Sequence, residues 1–263
     1  MIDLRGVDIR RIVLEQSRRA NVGHIGSSLS IADIVAALYS GGMQIESPDH
    51  PNRDRFILSK GHAVLAVYAA LHLRGWMTAD ALNSYCADGT LLGVHPENEL
   101  RGIDFSTGSL GQGLSVGVGA AVAAVLDGSN RRAIVLLSDA ECNEGSVWEA
   151  VMFASHRRLS NLVAIVDLNG QQALGYSRDV LDLSPLRERW QAFGWDVSEV
   201  DGHDVDALRA AIAAPGGVSP RVILARTVFG KGVSYMESQI KWHYWPMSDT
   251  DFAQAMSEIE SHP

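Results

Sequence analysis

At 263 residues the chain is long enough for one large α/β domain with a substantial core, and 46% hydrophobic with 20% charged residues is a globular balance. A net charge of −9 argues against nucleic acid or an anionic membrane as principal partner, but leaves small phosphorylated ligands open, because local Lys, Arg and His decide those. Cys86 and Cys142 make no disulfide framework, no signal-peptide core follows Met1, and no apolar run approaches the roughly 18 residues of a membrane span, so a cytoplasmic protein is expected.

In chain order, Val7 to Leu14 repeats apolar residues at helical spacing and predicts an amphipathic helix. Asn21 to Ser28 reads as a loop by its glycine and serine content. Ser30 is placed to cap a helix from Ile31 to Tyr39, with Asp33 at the capping-box position. After a loop to Asn52, Phe56 to Leu58 predicts a short strand that stops at Ser59-Lys60-Gly61-His62, and an Ala-rich helix follows from Ala63 to Leu73. A short helix is expected from Asp80 to Tyr85, and irregular chain from Asp88 to Ser106, including His95-Pro96-Glu97. Thr107 to Gly113 is a glycine loop opening a small-residue helix, Leu114 to Leu126.

The centre of the chain is a strand–helix–strand unit. Ala133 to Leu137 is a short apolar run suited to a buried parallel strand, and it stops at Asp139. A helix starts near Gly145 and runs through Ala154; a second apolar strand, Leu162 to Val166, ends at Asp167-Leu168-Asn169-Gly170. Neighbouring parallel strands bring Asp139 and Asn169 to the carboxyl edge of the sheet, where open α/β folds bind ligands. A carboxylate and an amide oxygen are hard ligands that suit Mg²⁺ or Ca²⁺ shared with phosphate oxygens, and the helix beginning near Glu144 is expected to aim its N–H groups at the same phosphates. Asp and Asn also turn the chain after strands, so spacing alone leaves both readings open. Further on, Leu186 to Phe193 and Asp204 to Ala213 predict helices, and Trp195 to Val200 and Arg221 to Ala225 predict strands. No repeat or low-complexity linker divides the chain, so residues 1–263 are expected to form a single domain: α/β, with a mostly parallel central sheet flanked by helices.

Ser138-Asp139-Ala140-Glu141-Cys142-Asn143-Glu144-Gly145, followed by Asn169 at a separation of 30 residues, resembles the thiamine-diphosphate motif of the transketolase family. Gly23-His24-Ile25-Gly26, Ser59 to Ala63, His95-Pro96-Glu97 and Gly108 to Gly113 resemble further transketolase segments in the family's order, so the similarity spans nearly the whole chain. The resemblance implies a thiamine-diphosphate-binding fold and the cofactor pair thiamine diphosphate and Mg²⁺, with Ca²⁺ or Mn²⁺ as substitutes. It implies metal ligation by Asp139, Asn169 and the backbone carbonyl of Gln171. It places His24, His62, His95 and His243 along the substrate channel, in contact with donor hydroxyls or cofactor phosphate, where neutral imidazoles can donate and accept protons. The cofactor-binding set it implies is His62, Gly108, Ser109, Leu110, Asp139, Ala140, Glu141, Glu144 and Asn169, the glycine loop meeting the aminopyrimidine through Gly108 and Leu110. Glu144 matches a family glutamate near the subunit interface that communicates with the catalytic glutamate of the neighbouring chain. Glu149 matches another, although first-turn glutamates also complement a helix dipole.

This sequence departs from the motif at both glycines, which are Ser138 and Ala140; Ala140 keeps its N–H but adds a Cβ where the diphosphate would approach. Two other site chemistries fit less well. The histidines lack zinc-motif spacing, and neither cysteine sits in C-x-x-C. Gly111-Gln112-Gly113-Leu114-Ser115-Val116-Gly117 mimics a dinucleotide loop, but it follows a poor strand and lacks the acidic residue that should end the next one.

Complete transketolases add a pyrimidine-binding domain, which carries the catalytic glutamate, and a C-terminal domain. The resemblance therefore implies the N-terminal subunit of a split transketolase. It would work with a separate C-terminal subunit carrying the pyrimidine domain, as an α2β2 hetero-oligomer, moving a two-carbon ketol unit from a ketose or ketose phosphate to an aldehyde with the cofactor as electron sink. Alternatives are a thiamine-diphosphate carboligase subunit using an α-keto acid donor, which the loop histidines disfavour, and a cofactor-free scaffold subunit, which the intact Asp139, Asn169 and Glu144 disfavour.

Overall fold

Parallel apolar strands need both faces covered, and the chain supplies helices to each. The computed structural model describes residues 2–261. Five strands, β1 (Arg55–Leu58), β2 (Ala133–Ser138), β3 (Leu162–Leu168), β6 (Asp196–Asp201) and β7 (Arg221–Arg226), form one sheet in the order β1-β2-β3-β7-β6. Every pairing in it is parallel. A small antiparallel hairpin, β4 (Gln171–Gln172) and β5 (Gly175–Tyr176), follows β3.

The helices are α1 (Gly6–Ala20), α2 (Ile25–Ser30), α3 (Ala32–Ala37), α4 (Val64–Leu73), α5 (Ala79–Leu82), α6 (Gly113–Leu126), α7 (Gly145–His156), α8 (Ser177–Val180), α9 (Leu186–Ala192), α10 (Val205–Ala213) and α11 (Asp249–Ser261). Strand side chains alternate between two cores. Ile134, Leu136, Val163 and Ile165 pack with α1, α3, α4 and α10 on one face. Val135, Leu137, Ala164 and Val166 pack with α6, α7 and α9 on the other. α6 lies close to the sheet because Gly113 and Gly117 lack side chains: a Cβ at either would overlap Ser59 or Val135.

Most predicted elements are present within a residue or two. Four readings are corrected. The segment expected to be a loop up to Ser28 is helical from Ile25, with His24 in the left-handed region at φ 59 immediately before it. Ser30 does not cap a helix; its hydroxyl donates to Asp167, and Ile31, at the N-cap of α3, supplies no side-chain cap. The helix expected through Tyr39 ends at Ala37 and passes into a π-helical turn, Leu38–Gly42. Asp33 is no capping residue either: it accepts from Arg10.

Candidate functional site

All five parallel strands point their carboxyl ends the same way, so Ser59-Lys60, Asp139, Asn169 and Thr227 converge at one edge. At the end of β3, Asp167 is fully buried and gathers these strand ends. Its carboxylate accepts from Lys60 Nζ (2.6 Å), Ser30 Oγ (2.8 Å), Asn169 Nδ2 (2.7 Å) and the Thr227 hydroxyl. A charge taken out of water needs a partner and further hydrogen bonds, and Asp167 has both. Sequence patterning marks neither Lys60 nor Asp167 as a site residue. The signal available is an acid inside the apolar run Leu162–Leu168 and a lysine at the end of the next strand but one.

With Asn169 Nδ2 committed to Asp167, its Oδ1 is the free end of the amide and accepts from Gln171 N–H at 2.9 Å. Across from it, Asp139 Oδ2 accepts from Gly170 N–H (3.0 Å) and Ser177 Oγ (2.8 Å), while its Oδ1 is buried with no protein partner. Burial pushes the Asp139 carboxyl up to about 6, opposed by the Ser177 hydrogen bond and reinforced by the charge of Asp167. A cation is what such an oxygen lacks. Among the described residues no cluster of three or more His, Cys, Asp or Glu could hold a metal, which disfavours a zinc-type centre. One carboxylate, one amide oxygen and the Gln171 carbonyl are instead the hard oxygen donors that would suit Mg²⁺ held together with a diphosphate.

Beside this trio lies a cavity of about 290 Å³, lined by His24, His62, His95 and His243 together with Ala140, Asn169, Gln171 and Tyr244. The rings of His24 and His62 are 5.5 Å apart, and His62 Nε2 meets Ser27 Oγ at 3.1 Å. His95 packs over Gly108, where a Cβ would stand 3.1 Å from its ring. His24 N–H donates to the His243 carbonyl at 3.2 Å, tying two distant loops together. His24 Nδ1, His243 Nε2 and Gln171 Oε1 are buried without partners, so the cavity wall carries unused polar atoms for a polyhydroxylated ligand. Burial holds His24 below the ordinary imidazole value, and His62 well below it. His243 falls to about 4, first through burial and then through the nearby Lys60 charge and His24. At neutral pH these imidazoles are uncharged and can serve as both donors and acceptors.

The glycine loop reaches the cavity with Gly108 and Leu110, whereas Ser109 is exposed outside it. Glu141 does not face the cavity. Its buried carboxylate accepts from Gly111 N–H (2.7 Å), Ser138 N–H (3.3 Å) and the Ser59 hydroxyl, so it fastens the glycine loop to the end of β2. Burial raises its pKa against those hydrogen bonds.

The helix expected to aim its N–H groups at the ligand is set back. A 3₁₀ turn, Ala140–Asn143, intervenes between Asp139 and α7, and the cavity is lined by Ser138 and Ala140 rather than by residues of α7. Glu144 is exposed at the start of α7, packed against Gly111 and outside the cavity; Glu149 is exposed one turn further on.

The profile of the family "Transketolase, thiamine diphosphate binding domain" matches residues 4–263. The chain is 40% identical over 257 residues to 6-deoxy-6-sulfo-D-fructose transketolase subunit SqwG of Clostridium sp. (strain MSTE9), covering 96% of this chain and 94% of that protein. It is 37% identical over 262 residues to one of the subunits of the apulose-4-phosphate transketolase of Phocaeicola vulgatus, covering 98% and 93%. Among solved structures, transketolase from Campylobacter jejuni superimposes with a TM-score of 0.90 at 28% identity, over 97% of this chain but only 42% of that one. The convergence of Asp139, Asn169 and the histidine-lined cavity at one sheet edge thus has a source, for the chain belongs to the transketolase family, within its thiamine-diphosphate-binding domain.

Proposed function

We propose that this chain is the cofactor-binding subunit of a two-subunit transketolase, transferring a two-carbon ketol unit from a ketose to an aldehyde. The observation that carries the reading is the junction of Asp139, whose Oδ1 is buried and unpartnered, with a cavity walled by four histidines and Asn169. Asp139, Asn169 and the Gln171 carbonyl would hold Mg²⁺ and through it the diphosphate. Thiamine diphosphate supplies a carbon nucleophile and an electron sink for the cleaved ketol unit. The chain's own residues do the rest. His24 and His62 offer neutral imidazoles to donor hydroxyls, His95 and the His243 Nε2 face the same cavity, and Gly108 and Leu110 present backbone groups to the pyrimidine side.

Two relatives matched over more than nine tenths of their length are named as transketolase subunits, one for a sulfo sugar and one for a sugar phosphate. They support a separate partner supplying the pyrimidine-binding domain, which we place in an α2β2 assembly with this chain as one domain. They also support a donor with a terminal anionic group. Among the described residues Lys60 is the only lysine or arginine lining the cavity, and it is already paired with Asp167, so the anion is left to the partner. Free Cys86 and Cys142 support a cytoplasmic setting; among the described residues no helix is long and apolar enough to cross a membrane.

The test is to mix the chain with its purified partner, thiamine diphosphate, Mg²⁺, a ketose phosphate and an aldehyde, and to follow products by mass spectrometry. Lengthening of the aldehyde by two carbons is expected. Carbon dioxide release from an α-keto acid, without transfer from any ketose, would replace the reading with a different carboligase.

A further inference from the structure

The His243 side of the cavity is not self-supporting. The His243 ring stacks on Phe229, with centroids 4.3 Å apart and planes at 28°. Phe229 is fully buried and occupies the space that a Cβ on Gly26 would need. Its segment is fastened by the Thr227 N–H to the Leu168 carbonyl (3.3 Å), the Thr227 hydroxyl to Asp167, Val228 N–H to His203 Nε2 (2.9 Å), Ser238 N–H to the Phe229 carbonyl (2.9 Å), and Gly230 N–H to the Gly26 carbonyl (3.1 Å). Of these anchors His203 is the side chain that reaches the segment from outside both the cavity lining and the strand-end hub.

His203 is itself held. Because Val228 donates to Nε2, that nitrogen carries no proton; the proton sits on Nδ1, which donates to Asp33 Oδ2 at 2.8 Å. Asp33 is buried and receives the buried Arg10 guanidinium on both oxygens. A carboxylate behind an imidazole fixes its tautomer, as it does behind metal-bound histidines. The chain Arg10–Asp33–His203–Val228 therefore runs from α1 through α3 to the residue before Phe229, and ends on the ring that backs His243.

We propose that His203 is a positioning residue for the ketol-transfer site, holding the His243 imidazole against the cavity through Val228 and Phe229. This rests on the reading of the cavity as the donor site. His203 touches no ligand; its contribution is the register of the segment that carries Phe229. Displacing a catalytic group by about 1 Å is enough to cost on the order of 10²-fold in rate, so loss of the Val228 anchor is expected to act on turnover and to leave the metal and diphosphate residues untouched.

Two substitutions separate this role from general support. An asparagine amide reaches the Nδ1 position, so His203→Asn keeps the link to Asp33 and loses the one to Val228. A glutamine carbonyl reaches the Nε2 position, so His203→Gln keeps an acceptor for Val228. The whole chain is labelled with ¹³C in its histidine rings, and the His243 signals are assigned by their absence in His243→Asn. A stacked aromatic ring moves the His243 ring protons upfield. That upfield shift is expected to persist in His203→Gln and to be lost in His203→Asn, matching Phe229→Leu, which removes the stacking ring directly.

With the partner present, kcat is expected to fall on the order of 10²-fold in His203→Asn and Phe229→Leu, and only a few-fold in His203→Gln, with cofactor affinity unchanged in all three. Equal loss in the Gln and Asn variants, or His243 signals that ignore both, would overturn the proposal. If the Asn variant does not fold, the Gln variant decides: a retained shift supports the role and a lost one refutes it. The spectra need no reaction, so a ring shift that behaves as expected in a chain that transfers no ketol would count against the function and not against the positioning.

Discussion

Lys60 and Asp167 meet at 2.6 Å with side chains essentially closed to solvent, and three further donors complete the carboxylate. Removing one member of such a pair strands a charge in the interior. Lys60→Met is therefore expected to destabilise the chain by about 3–5 kcal/mol, read as a lowered midpoint in urea with unchanged slope. Acid should act on the same neighbourhood through His243. Its folded value of about 4 lies below the ordinary 6.5, so between those values the unfolded chain binds a proton that the native chain refuses. The His243 contribution to stability then rises with pH across that window and is lost as pH falls from about 6.5 toward 4, while Asp139, raised to about 6, contributes with the opposite sign. The difference in urea midpoint between the unaltered chain and His243→Phe, which has no imidazole to titrate, should follow this slope when measured at several pH values. At this scale the sequence is a partial guide. His24, His62, His95 and His243 are legible through the family segments they resemble, not through their loop settings alone, and they do share one cavity. Glu141 groups with the cofactor residues by its place in the motif, yet its carboxylate turns inward to hold the glycine loop, an orientation that no spacing rule encodes.

Elements are readable where burial writes a pattern and unreadable where packing overrides it. β2 and β3 stand out as short apolar runs because both faces of a parallel sheet are covered. α2 escapes a reading by propensity because Gly26, Ser27 and Ser28 are poor helix formers. It stands through tertiary contacts, Ile25 and Leu29 being fully buried and Gly26 facing Phe229. Ser30 carries every sign of a cap, but its hydroxyl finds the buried Asp167 instead, and a charged acceptor in the interior outweighs a backbone donor at a helix end. The hairpin β4–β5 is two residues per strand, too short for any periodicity to register. Close approach supplies a test at this scale. Gly117 sets α6 against Val135, so Gly117→Ala is expected to cost about 1–3 kcal/mol by overpacking, with the fold retained by circular dichroism. Gly119, on the same helix, has open space beside it, and Gly119→Ala is expected to be neutral or stabilising by a few tenths to about 1 kcal/mol, alanine being the better helix former.

For the whole molecule, the parallel sheet fixes the outcome. Its carboxyl edge brings an acid from β3, an amide from just beyond β3, a lysine from beyond β1 and a threonine from beyond β7 into one hub, and the four histidines line the cavity beside it. The α/β class and the position of the site follow from apolar strand runs and from where they stop. That much is legible in the order of residues alone.

We propose that Asp139, Asn169 and the Gln171 carbonyl form a metal site through which a diphosphate is held. The most direct measurement is a calorimetric titration of thiamine diphosphate into the chain mixed with its partner, with and without Mg²⁺, for the unaltered chain and for Asp139→Ala. Binding that requires Mg²⁺ and disappears in Asp139→Ala is the expected result. Equal binding with and without the metal, or unchanged binding in Asp139→Ala, would contradict the account.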